Sequence, residues 1–242
     1  MKKHLSVLML MSRSTIYKIL GILVIMTAVE GTLFYLTLRN MTAAEVVGLE
    51  LVFQQSRILW VCALGYLLVT ALLCLTGCEF SGKQGYTLHR LSVSQRSVFL
   101  WQAFYNICCF FLFWAVQLFI VLALCRLYME KIDPPAISNQ TVFLAFYRND
   151  FLHSLLPLAD MSRYVRNIFL ILGLGIASAY FPIRQRRGGT GMGIIVLSAV
   201  TLLFFSHSMG SLGNDILVIV FSIVTATMAL YGALKEEAAN ET

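Results

Sequence analysis

The sequence predicts an all-α, polytopic membrane protein with six transmembrane helices and both termini on the cytoplasmic side. Three observations carry that prediction. Of the 242 residues, 59% are hydrophobic and only 12% are charged, about half the share of a soluble domain. Such a chain cannot cover itself with charge, so its solvent is lipid. The apolar residues also gather into six runs, close to the roughly 20 residues a helix needs to cross a hydrocarbon core of about 30 Å. Lys and Arg, finally, are sorted between alternate connections.

The runs are Ile16–Leu38, Ile58–Leu75, Val98–Leu124, Ile168–Phe181, Gly191–Phe205 and Ile216–Leu234. The fourth and fifth are short. They are expected to recruit their flanks, Tyr164–Asn167 and Ser206–Gly210, or to sit in thinned bilayer. The Ser206–Asp215 connection is then either a short aqueous loop or a segment that dips back into the membrane. Ahead of the first run, Leu5, Leu8, Met9 and Ser12 recur at helical spacing. Residues 1–15 are therefore predicted to form an amphipathic helix on the inner surface. The same stretch lacks the small-residue cleavage site of a signal peptide.

Sidedness follows from the cations. One set of termini and connections holds Lys2, Lys3, Arg13 and Lys18, then Lys83, Arg90 and Arg96, then Arg184, Arg186 and Arg187, then Lys235. The loops of this set are short and almost purely basic. The other set holds Arg39, Arg57, Arg126, Lys131, Arg148, Arg163 and Arg166, spread over longer stretches. They are mixed there with Glu45, Glu50, Glu130, Asp133, Asp150, Asp160 and Asp215. The basic side is cytoplasmic by the positive-inside rule. The formal charge of +6 is explained by orientation, and no nucleic-acid partner is implied. The six cysteines, Cys62, Cys74, Cys78, Cys108, Cys109 and Cys125, lie in or beside apolar runs without a CxxC or a His or carboxylate at ligand spacing. They read as small apolar packers, and no metal site is predicted.

Gly77-Cys-Glu-Phe-Ser-Gly-Lys-Gln84 fits the phosphate-cradling pattern G-x-x-x-x-G-K-[S/T] at every position but the last. That pattern works when a strand delivers the chain to the glycine turn and a helix N-terminus receives the phosphates. Here an apolar span precedes Gly77, and Gln84 stands where the magnesium-binding hydroxyl belongs. The match is accidental, and the chain is predicted not to hydrolyse ATP. Nor does "SHSMGSLG", with Ser208 or Ser211, make an intramembrane serine protease, since no histidine follows His207 to act as base.

The rest of that loop carries more. Tyr86–Leu91 can make one or two helical turns exposing Tyr86, His89 and Arg90, and Ser92 or Ser94 can then cap the third span. A short aromatic and basic helix suits docking into a groove of another protein, while an ordinary solvated basic loop is the other reading. The run Thr87-Leu88-His89-Arg90-Leu91-Ser92-Val93-Ser94-Gln95-Arg96 resembles the coupling-helix pattern T-L-x-x-L-x-V-S-R, with one extra residue before the Arg. With six spans, cytoplasmic termini and an N-terminal surface helix, the whole chain resembles the permease subunits of type-two ATP-binding-cassette exporters. The resemblance implies a coupling loop at 76–97, with Tyr86, Thr87, Leu88, His89, Arg90 and Leu91 receiving the stroke of separate ATPase subunits. It also implies ATP and magnesium on those ATPases, and a second permease copy or related permease alongside. The expected location is the plasma membrane of a bacterium. One departure is plain. The large external segment here is 129–167, between spans three and four, whereas many members of that family carry theirs between spans five and six.

Within the external segment, Asp133-Pro134-Pro135 stops any helix continuing from span three. From Thr141 to Leu158 the residues Phe143, Tyr147, Phe151, Leu155 and Leu158 recur at helical spacing, with Asn149, Asp150, His153 and Ser154 opposite. This predicts an amphipathic helix that either roofs an exit or anchors the loop, with Asp150 and His153 as a surface hydrogen-bonding pair. Glu30 is the only acid inside a span. A mid-span acid costs about 2.5–3.5 kcal/mol on insertion scales, so Glu30 should face the bundle. It is either a functional carboxylate or a structural one bonded to a neighbour such as Asn106 or Gln117. With so few polar residues in the spans, the expected cargo is amphipathic or lipophilic: a peptide, a drug-like compound or a lipid. A non-transporting scaffold or sensor subunit, or a proton-coupled secondary transporter using Glu30, are the alternatives.

Overall fold

The computed structural model describes residues 2–40, 48–75, 94–131, 140–158, 160–186, 188–206 and 212–238. Among them all regular structure is helical: α1 Lys2–Asn40, α2 Leu49–Gln55, α3 Ile58–Leu75, α4 Gln95–Lys131, α5 Gln140–Arg148, α6 Asp150–Leu155, α7 Met161–Arg186, α8 Met192–Phe204 and α9 Leu212–Ala238. Five of these, α1, α3, α4, α7 and α9, are long and apolar enough to cross a membrane. The chain is an all-α, multi-pass membrane protein. The apolar α8, at 13 residues, is about 20 Å long by helical rise and falls short of a full hydrocarbon core.

Burial in α1 shows how a lipid-facing helix is sorted. Thr15, Ile19, Leu23, Met26, Glu30 and Phe34 are buried, a stripe at intervals of three and four that faces the bundle. Tyr17, Val24, Ile25 and Tyr35 point outward. Thr27, Thr32 and Thr37 return their hydroxyls to carbonyls three or four residues back, at 2.7–2.9 Å, so no donor is left bare to lipid. The helix runs unbroken from Lys2, so the predicted surface helix over residues 1–15 continues directly into the first span, whose apolar part starts at Thr15. At α4, Ser94 is the capping residue expected from sequence: its Oγ accepts from Ser97 N at 3.4 Å and meets Ser97 Oγ at 2.9 Å.

α7 is the central helix, packing against α9, α4, α3 and α8. Its close approaches rest on two glycines. A Cβ at Gly173 would meet the Ser222 backbone of α9 at 3.0 Å, and one at Gly175 would meet the Ile107 backbone of α4 at 2.9 Å. Beside them the Asn106 amide bonds Ser178 Oγ at 2.9 Å. The expected fourth span, Ile168–Phe181, therefore extends at both ends and takes in Arg163 and Arg166, which the structure buries rather than solvates.

The external segment departs from its predicted form. One helix over 141–158 is broken at Asn149, whose Oδ1 accepts from Phe151 N at 3.1 Å and Leu152 N at 3.2 Å and so caps α6. Phe151 and Leu155 are buried as expected, but the face expected to be solvated is buried with them. His153 and Ser154 are wholly buried, while Phe143, Tyr147 and Leu158 are exposed. His153 pairs with Asp160, not with Asp150 as a surface pair. The reason is that α6 turns inward onto the bundle, where Trp114 Nε1 of α4 donates to Leu155 O at 3.1 Å.

Candidate functional site

The strongest concentration of polar chemistry lies where α6, α7 and α9 meet. Arg166, 1% exposed, donates from Nη1 to Asp215 Oδ1 at 2.9 Å and from Nε and Nη2 to Asn167 Oδ1 at 3.3 and 3.2 Å. Its guanidinium lies 5.2 Å from the centre of the Phe205 ring, within cation–π range. Ser162 Oγ donates to the other Asp215 oxygen at 2.8 Å. Arg163 donates to Ser154 Oγ at 2.9 Å and approaches Asp160 at 3.7 Å, and Asp160 also meets His153 Nε2 at 3.0 Å. Asn167 Nδ2 closes the set on Ser154 O at 2.8 Å. Among the buried side chains of this group, only His153 Nδ1 lacks a partner.

This network sits deep. α4 and α7 run antiparallel and touch at Asn106 and Ser178, so Arg166, twelve residues earlier in α7, lies near position 118 of α4. That position belongs to the apolar run Val98–Leu124. Two arginines at this level are tolerable only because each is paired and hydrogen-bonded. The sequence lists these residues merely as charges on the acid-containing side. The available signal was Arg163 and Arg166 one helical turn apart, directly ahead of an apolar run too short to span alone.

Against one flank of the network is a cavity of about 560 Å³ between α3, α4, α7 and α8, within the usual range for small-molecule sites. Leu64, Leu67, Phe113, Leu170, Leu174 and Leu202 give it an apolar wall, and Asn167, Phe205 and Ser206 bring the network to its edge. A second cavity of about 500 Å³ lies beyond it, lined by Glu50, Gln54, Arg57, Arg148, Asn149 and Asp150 among others. Leu59, Trp60, Phe151 and Ser206 line both, so the apolar chamber and the polar vestibule adjoin along these side chains.

The predicted site residues fall into two groups. Glu30 is wholly buried in the bundle, and its Oε2 accepts from Gln117 Nε2 at 3.1 Å, one of the two partners expected. Asn106, the other, serves Ser178 instead. Glu30 Oε1 and Gln117 Oε1 both lack donors, and Gln117 also lines the apolar cavity. The coupling-loop residues Tyr86, Thr87, Leu88, His89, Arg90 and Leu91 lie outside the described residues, as do residues 207–211 of the Ser206–Asp215 connection, with His207, Ser208 and Ser211 among them. Among the described residues no group of His, Cys, Asp and Glu could hold a metal ion. No model of a known family, no curated protein and no solved structure matches the chain.

Proposed function

We propose that this chain is the membrane-spanning subunit of a transporter for an amphipathic or lipophilic molecule, driven by separate ATPase subunits. The observation that carries the reading is the apolar cavity adjoining a polar vestibule, at the end of the bundle away from Lys18 and Lys235. A molecule with an apolar body and a polar head matches both halves. The drive is argued from the resemblance of residues 87–96 to a coupling helix. Closure of the ATPases would press on the loop around Tyr86–Arg96, tilt α3 and α4, and change the width of the cavity they share. One chain walls only part of a passage, so a second copy or a related permease completes it.

Co-purification from native membranes tests this. An ATPase is expected to accompany the chain, and replacing Tyr86, His89 and Arg90 together by Ala is expected to release it. Retained ATPase in that triple variant would remove the docking role, and failure of any ATPase to bind the parent chain would remove the drive.

A further inference from the structure

We propose that cavity and vestibule together form a binding site for a zwitterionic amphipath. Its apolar chain would lie between α3, α4, α7 and α8, and its head group among Glu50, Arg57, Arg148 and Asp150. The role of this ligand as cargo rests on the transport reading above; its binding does not need an ATPase.

Continuity is the first argument. Four residues line both spaces, so the two adjoin, and a molecule whose body lies in one has its head at the border of the other. A wholly polar ligand gains nothing from the inner wall, and a wholly apolar one leaves the vestibule's charges unused. The second argument is charge. The vestibule holds two acids and two bases. An anionic head would meet Glu50 and Asp150, and a cationic one Arg57 and Arg148; only a head carrying both signs is matched throughout.

These charges are at most loosely paired with one another. Arg148 and Glu50 stand 3.6 Å apart and partly exposed, too long for a good hydrogen bond and weak as a surface pair. Among the described residues Arg57 and Asp150 make no ion pair. The fourth observation is backbone strain. Arg57, between α2 and α3, has φ 54°, a left-handed conformation costly for a residue with a Cβ. Strain of this kind gathers at ligand clamps. Trp60, 71% exposed and lining both spaces, stands at the change from apolar to polar, where tryptophan favours the head-group level of a bilayer.

The test is native mass spectrometry of the full chain in detergent, with three single-chain probes of equal tail length bearing phosphocholine, phosphoglycerol or trimethylammonium heads. The phosphocholine probe is expected to remain bound at one per chain, about tenfold tighter than the others, a difference of about 1.4 kcal/mol. Arg57→Gln with Asp150→Asn should erase the preference while leaving the melting temperature unchanged. Ala63→Phe, which fills the apolar chamber, should weaken all three probes. Equal retention of the three, or an unchanged preference in the double variant, overturns the site. So does a dimer that buries the chamber and excludes every probe, since the occupant is then a second copy. Binding without any ATPase partner sinks only the transport reading, whereas an ATPase partner without binding sinks only the site.

Discussion

Arg166 and Asp215 show what a single residue does in this bundle. Each is buried and the pair is bridged at 2.9 Å, so removing one leaves the other buried without its counter-charge. Arg166→Leu is expected to cost about 3–5 kcal/mol, the usual range for breaking a buried pair, read as a lower denaturation midpoint in micelles. Replacing both Arg166 and Asp215 by Leu should recover most of that loss, because no uncompensated charge remains. Glu30 makes a gentler case. Glu30→Gln keeps an acceptor for Gln117 and is expected to change stability by less than about 1 kcal/mol, whereas Gln117→Leu leaves the carboxyl without a partner and should cost about 1–3 kcal/mol. Transport unchanged at every pH in Glu30→Gln would confine Glu30 to a structural part. Its placement was legible because one acid in an apolar run must face inward. The arginine network was not, since helical spacing says which residues share a face but not which helix end they will meet.

At the scale of elements, the contacts of α7 decide the architecture. Gly173 and Gly175 let it lie against α9 and α4 with no room for a side chain. Gly175→Leu is expected to displace α4 and cost about 1–3 kcal/mol or more by overpacking, detected as loss of the monodisperse folded species in size-exclusion chromatography. Gly21→Leu, where nothing lies within 4 Å, is the lipid-facing control and should remain folded. The external helices show where periodicity misleads. Phe143, Tyr147, Phe151 and Leu155 keep a helical spacing across Asn149, but an Asn side chain that accepts two backbone N–H groups ends one helix and starts another. Once the axis turns, His153 and Ser154 of the face predicted to be solvated enter the bundle together with Phe151 and Leu155.

For the whole molecule, the alternation of helix directions places 48–57, 140–167 and 212–215 at one end and Lys18, Arg96, Arg184 and Lys235 at the other. Contacts of α2 with α5 and the bond from Asn149 Nδ2 to Glu50 O at 3.3 Å join the first group. In a cysteine-free background, cysteines at Arg148 and Lys235 are expected to react with an impermeant maleimide from opposite sides of the bilayer. Reaction from the same side would overturn the topology. Composition and the length of the apolar runs sufficed for the fold class, because hydrophobic length acts on each segment separately. Tertiary structure alone decided that three polar residues of α7, Arg163, Arg166 and Asn167, belong inside, and that α6 folds in against α4. It alone set an apolar chamber beside a charged vestibule. Those features depend on which side chains from distant segments arrive together, and a buried charge is stable only once its partner has been delivered by another helix.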